Sequence, residues 1–247
     1  MLCSLLRQLF SLLPLLLILS TTRVLAEPPI PFAAEYEARY QGIQAQADRS
    51  LEQLDEEQFL LRSRIKLRLL GKTVSRIDEQ SQFLWLNNQV QSQAYEYIQT
   101  GLGEKARSVA FDWQNNSAVT LVNDEQNSLA LDIPVLDELS SFMEIKRQLE
   151  DNIDNIYFNV VDEDEIESQH YQVLGEEQLS TPLGNFNAIK LQRVRNPESK
   201  RSTEIWLATD WDYLLLKLYQ TNSSGEVFEI NLRQASLAEV QVTPLAE

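Results

Sequence analysis

Thiols and imidazoles are nearly missing from this chain: 247 residues contain one cysteine and one histidine. The cysteine, Cys3, lies in a leading segment that reads as removable, so no disulfide is expected and a hydrophobic core must hold the fold. A conventional zinc site draws on several nitrogen or sulfur ligands, so no metal is expected either. Any Ser–His–Asp triad would have to use His170 as its base. The surrounding Ser168-Gln169-His170-Tyr171-Gln172 alternates like a strand, and no Gly-x-Ser-x-Gly elbow occurs. Glycine-rich phosphate loops are absent. Thr100-Gly101-Leu102-Gly103-Glu104 lacks the third glycine and the long helix of a nucleotide fingerprint and reads as a hairpin loop. No cofactor and no enzymatic activity follow from this inventory. Positive charge is also scarce: 21 basic residues stand against 37 acidic ones, for a formal charge of −16. Such a chain repels phosphate backbones, which argues against nucleic acid as a partner.

The one long apolar run is at the start. Met1 to Gln8 carries Arg7, Leu9 to Leu19 is almost wholly apolar, and Val24-Leu25-Ala26 offers small residues where a signal peptidase reads. This is the layout of a secretory signal peptide over residues 1–26, with cleavage expected after Ala26. A membrane anchor is the competing reading, but the run is broken by Pro14 and falls short of the roughly 20 residues a spanning helix needs. Lipidation would require a cysteine after the cut, and none stands there. The expected product is a periplasmic protein of residues 27–247, a single β-rich domain not anchored to the membrane.

Period-two alternation runs through that region. Phe32, Ala34, Tyr36, Ala38 and Tyr40 share one face against Glu35, Glu37 and Arg39. From Gln58 to Leu70, Phe59, Leu61, Ser63, Ile65, Leu67 and Leu69 oppose Arg62, Arg64, Lys66 and Arg68. Thr73 to Leu86 continues the pattern, and Asn87-Asn88 marks the next turn. Further strands are predicted over Val90–Ile98, Arg107–Trp113, Ala118–Val122, Ile156–Val161, Glu167–Leu174, Phe186–Val194, Thr203–Ala208, Tyr213–Tyr219 and Val227–Leu232. Short connections imply antiparallel meanders. One segment differs: from Pro134 to Leu149 apolar residues recur at three and four, as on one helix face. The fold class expected is mainly β, a large curled antiparallel sheet or partly open barrel with one amphipathic helix packed on it.

Several pieces of the chain taken together resemble an exported bacterial family known as domain of unknown function 3108. They are Pro31-Phe32-Ala33-Ala34-Glu35-Tyr36-Glu37-Ala38, Phe111-Asp112-Trp113, Leu136-Asp137-Glu138-Leu139-Ser140, Thr181-Pro182-Leu183-Gly184-Asn185-Phe186, and Trp206-Leu207-Ala208-Thr209-Asp210 with Tyr213 and Lys217. The family often has a proline after that tyrosine, where Leu214 stands here. The resemblance implies a periplasmic, mostly antiparallel β domain and brings no activity with it. A looser analogy of architecture is to half-barrel lipoprotein carriers, in which a helix covers an apolar hollow.

Two surfaces remain as candidate sites. Phe142 and Met143 of the helix, with Trp85, Tyr97 and Trp206 of the strands, would line a groove for a lipid or hydrophobic peptide. Alternatively these aromatics are only packing. The stripe of Arg62, Arg64, Lys66 and Arg68 would dock an envelope protein or a phosphate-rich partner. Alternatively it is balanced by cross-strand acids such as Glu52 and Glu79. The acidic run Asp162-Glu163-Asp164-Glu165 reads as a solvated turn. Paired carboxylates acting as a hydrolase are the third and least favoured reading.

Overall fold

The computed structural model describes residues 28–246, so the predicted leader and its cut after Ala26 lie outside the described residues. Two meanders make one large sheet. The first runs β1 (Phe32–Tyr40), β2 (Ile43–Gln53), β3 (Gln58–Leu69), β4 (Lys72–Leu86), β5 (Gln89–Gly101), β6 (Lys105–Asp112), β7 (Ser117–Val122) and β8 (Glu125–Ala130). A short β9 (Leu136–Asp137) and the helix α1 (Ser141–Glu150) follow. The second meander is β10 (Asn155–Asp162), β11 (Glu165–Thr181), β12 (Gly184–Val194), β13 (Ser202–Ala208), β14 (Leu215–Thr221) and β15 (Val227–Leu237), and β16 (Val240–Gln241) folds back on β15.

The meanders join where the first long strand meets the last. β1 and β15 pair antiparallel from Phe32↔Leu237 to Tyr40↔Phe228, in the middle of the sheet. The alternating pattern of β1 explains its setting: Ala34, Tyr36 and Ala38 are buried, while Glu35, Glu37 and Arg39 meet solvent or neighbouring polar groups. β3 repeats this with Phe59 and Leu61 fully buried, and Phe59 stacks on Phe83 of β4 at 5.5 Å.

The sheet curls without closing into a barrel, as expected for a twisted sheet of this width. One end folds onto the first meander through side chains rather than through a ladder: β9 lies against β5. All ladders are antiparallel except one, since Leu136 and Asp137 pair parallel with Val160 and Val161. Helix α1 sits inside the curl and touches β5 and β10. Met143, Ile145 and Leu149 are buried, and so are the polar Lys146 and Gln148, because strands surround the helix on several sides.

Three expectations need correction. The helix starts at Ser141, not near Pro134. The Asp137 carboxylate accepts the backbone N–H groups of Leu139 and Ser140, at 2.9 and 2.8 Å, which fixes a turn there and leaves Leu136–Asp137 free to pair as a strand. At its other end, Asn152 (φ 58°) and Ile153 donate to the carbonyls of Leu149 and Gln148, a Schellman stop with asparagine in the left-handed position. β2 and β8 are strands that the alternation does not reveal, and Tyr213 belongs to a turn, with β14 starting at Leu215.

Candidate functional site

A partly open pocket of about 40 Å³ lies between α1, the paired strands β1 and β2, and the β13–β14 turn. Phe142 and Met143 form its helical wall. Phe32, Leu51, Leu207, Leu215 and Leu237 form the opposite, apolar wall. A bulge in β14 helps set this wall: Leu216 is the extra residue, which registers Leu215 opposite Leu207 so that both line the pocket, while Trp206 alternates to the other side of the sheet.

The rim is strained and electrostatically fastened. Asp212 and Tyr213, consecutive in the turn, both have φ of 53°. A bulky tyrosine in the left-handed region is costly, about 1–3 kcal/mol, and such outliers gather at ligand sites. Asp212 accepts from Lys146 Nζ at 2.6 Å, which ties α1 to the turn, and Glu150 flanks the same ammonium at 3.5 Å.

The floor of the pocket carries two polar side chains that sequence reasoning did not assign to a site. Arg49 of β2 is 7% exposed, and its guanidinium lies 4.4 Å above the Phe142 ring. Its Nε is buried without an acceptor. Tyr36 of β1, a diagonal cross-strand neighbour on the same face, is 3% exposed, and its hydroxyl likewise has no partner. Burial lowers Arg49 below its usual range and raises the Tyr36 phenol above its own. The alternation Ala45, Ala47, Arg49, Leu51 in β2 places an arginine in an apolar series, and that signal would have found it.

Of the five groove residues predicted, Phe142 and Met143 line this pocket; Trp85, Tyr97 and Trp206 do not. Trp85 is core, paired with Val90 beside the β4–β5 turn. Tyr97 lies beneath Arg107 at 4.6 Å and donates to Gln99 Oε1. Trp206 is covered on the opposite face by Lys190 and Lys217 at 4.7 and 5.2 Å and donates to Glu177.

Arg107 belongs to a second cluster, at the seam where the β9 end of the sheet lies against β5 and β6. It binds Glu138 Oε2 at 2.5 Å and Asp162 Oδ1 at 3.1 Å, and Lys105 pairs with Glu163. The last residue of β10 and the acidic turn after it therefore each supply an anion to β6. Burial raises Glu138 to about 7 in spite of Arg107. Deeper in the seam, Asp137 takes Ser81 Oγ, Ser140 Oγ and the two backbone N–H groups already named, and Ser92 Oγ accepts the Asp137 N–H. A bulge at Gln93 turns Ser92 towards this network. The cluster fastens the curl.

The basic stripe is partly neutralised. Arg62 pairs with Glu52 at 2.5 Å, and Arg64 with Asp78 at 2.8 Å; Lys66 makes no ion pair among the described residues, and Arg68 donates to the Gly71 carbonyl. Glu79, expected opposite the stripe, instead follows the inward alternation of Ser81 and Phe83, while Asp78 faces the arginines. At the end of the stripe Leu70 is 96% exposed with φ of 49°. His170 stacks on Tyr157 at 4.2 Å and contacts Asn155 Oδ1 at 3.1 Å.

Comparison with known proteins bears on the fold. A beta-barrel-like protein of domain of unknown function DUF1849 from Brucella abortus superposes with a TM-score of 0.57 at 8% identity, covering 86% of this chain and 99% of the other. The hypothetical protein CT021 from Chlamydia trachomatis gives 0.36 at 12% identity, over 91% and 95%. No curated protein matches the chain. The sequence profile of the proteins of unknown function DUF3108 matches residues 35–232, strands β1 to β15 with the helix between them. The chain therefore belongs to the DUF3108 family.

Proposed function

We propose that the protein is an exported, non-enzymatic binding factor of the bacterial periplasm that holds an apolar ligand, a lipid or hydrophobic peptide, under α1. The leader supports the compartment. The observation that carries the binding reading is the pocket itself: an apolar cleft beside a helix, with a strained turn at its rim and two polar groups left without partners on its floor. With α1 in place the space is about 40 Å³, against the roughly 300–1,000 Å³ of a ligand pocket. An acyl chain thus enters only when α1 lifts away from the β13–β14 turn, which breaks the Lys146–Asp212 pair. Native mass spectrometry on protein purified gently from the periplasm tests this. A reproducible added mass, lost on solvent extraction, is expected. A clean apo mass with no recoverable lipid refutes it.

A second reading rests on the β3–β4 tip, where Lys66 and Arg68 adjoin the exposed Leu69 and Leu70. A leucine that bears both a left-handed backbone and full exposure gains nothing within the fold, which favours contact with an acidic envelope protein. Replacing Lys66 and Arg68 with Glu should abolish a specific cross-link to that protein. An unchanged cross-link removes this reading.

A further inference from the structure

Among the described residues, Arg49 and Lys146 are the two buried basic side chains, at 7% and 6% exposure. The fold treats them differently. Lys146 has two carboxylates around it. Arg49, in a chain with 37 acidic residues, makes no ion pair and no hydrogen bond among the described residues, and the Glu79 carboxylate acts on it only from a distance. The Phe142 ring offers it a π face but no acceptor. A buried guanidinium brings five N–H donors and no acceptor, and a charge removed from water without a partner is costly. The unpartnered Tyr36 hydroxyl beside it adds an O–H donor. The floor of the pocket is thus built from donors alone, one of them a full positive charge, and its walls are apolar apart from Lys146 and Asp212, which pair with each other at the rim.

We infer that Arg49 and Tyr36 receive the head group of an anionic amphiphile: a single apolar chain ending in a compact carboxylate or phosphate. The inference rests on the binding reading above and adds the chemistry of the ligand to it. The anion accepts charge-assisted N–H bonds from Arg49 and the O–H of Tyr36. The chain lies against Phe142, Met143, Leu51 and Leu237. The open space suits the head group alone, so the head seats first and the chain follows as α1 lifts.

The test compares dodecanoate, dodecyl phosphate and dodecanol, which share one chain length, by calorimetry on the mature protein after solvent extraction. The expected result is binding of one or both anions at least about tenfold tighter than dodecanol, and loss of that preference in Arg49→Gln with dodecanol binding unchanged. Which anion binds tighter distinguishes a fatty acid from a phosphate ester. Tyr36→Phe should weaken the anions a few-fold and leave the alcohol unaffected. Circular dichroism checks that each variant folds; if Arg49→Gln does not, the wild-type ratio and Tyr36→Phe still decide. Equal binding of anions and alcohol overturns the roles of Arg49 and Tyr36 while the binding reading stands. Preference retained in a folded Arg49→Gln does the same. If none of the three binds, both fall together.

Discussion

Replacing Asp137 with Ala should cost more stability than most substitutions in this protein. The carboxylate is fully buried and accepts four hydrogen bonds, from Ser81 Oγ at 2.7 Å, Ser140 Oγ at 2.8 Å, and the N–H groups of Leu139 and Ser140 at 2.9 and 2.8 Å. Hydrogen bonds to a charged group contribute roughly 1.5–3 kcal/mol each before non-additivity. Against them stands the cost of burying the charge, which raises the Asp137 carboxyl above its usual range. Removing an anion from such a network strands its donors, and about 3–5 kcal/mol is the expected loss. Asp137→Asn keeps the shape and one acceptor oxygen, so the two backbone donors stay satisfied. The hydroxyls of Ser81 and Ser140 can rotate to accept from the new amide, and the loss should be about 1–2 kcal/mol. Urea unfolding followed by tryptophan fluorescence gives both values. Amide exchange at Leu139 and Ser140 adds a local reading, since the Ala variant removes their acceptor. A loss below about 1 kcal/mol for Asp137→Ala would mean that the seam is held elsewhere, and the fastening role assigned to this cluster would be refuted.

Glu138 should titrate near 7 by NMR, because burial favours its neutral form. Since the folded value lies above the unfolded one, its contribution to stability is fully present below about 4.5 and is lost as pH rises through 7. Arg107→Met should push the Glu138 value higher still; a fall would contradict the ion-pair assignment. Gly101→Ala should destabilise by more than about 1 kcal/mol, since a Cβ there would stand 2.3 Å from the Val74 carbonyl oxygen at a φ of 86°; an unchanged urea midpoint would count against this register. Arg64→Ala should cost less than about 1 kcal/mol, because its pair with Asp78 is exposed on the arginine side. Phe142→Asp places a carboxylate beside Arg49 and should abolish ligand retention while the sheet stays folded; retention in a folded variant would exclude the pocket.

Alternation made the sheet legible. Side chains in strands have a period of two, so Phe59, Leu61, Ile65 and Leu67 could be assigned to one face and the arginines to the other before any pairing was known. β2 escaped because two of its buried residues are alanines and one is an arginine, which weakens the contrast on which the pattern depends. The helix start was misplaced for a similar reason. Leu136 and Leu139 fit a helical spacing, but the spacing does not show that the carboxylate between them has two N–H groups and two hydroxyls to accept. Trp85, Tyr97 and Trp206 were grouped by residue type. They separate because Trp206 alternates with Leu207 on β13 and so faces the other side of the sheet, while Trp85 and Tyr97 stand on β4 and β5, outside the pocket; residue type records neither position.

The sequence by itself determined the class of the molecule: a β-rich chain with one helix, a single thiol at Cys3, a large excess of acidic over basic residues, and membership of a recognisable family. These follow from composition and short-range periodicity, which act within a few residues. Only the tertiary structure decided which residues share the pocket. Tyr36, Arg49, Phe142 and Asp212 come from four separate elements, and the curl of the sheet around α1 brings them to one place. Only the fold, too, shows that Lys146 finds its carboxylates and Arg49 does not. The presence or absence of a partner is a property of the space around a side chain, and that space is set by elements far apart in the chain.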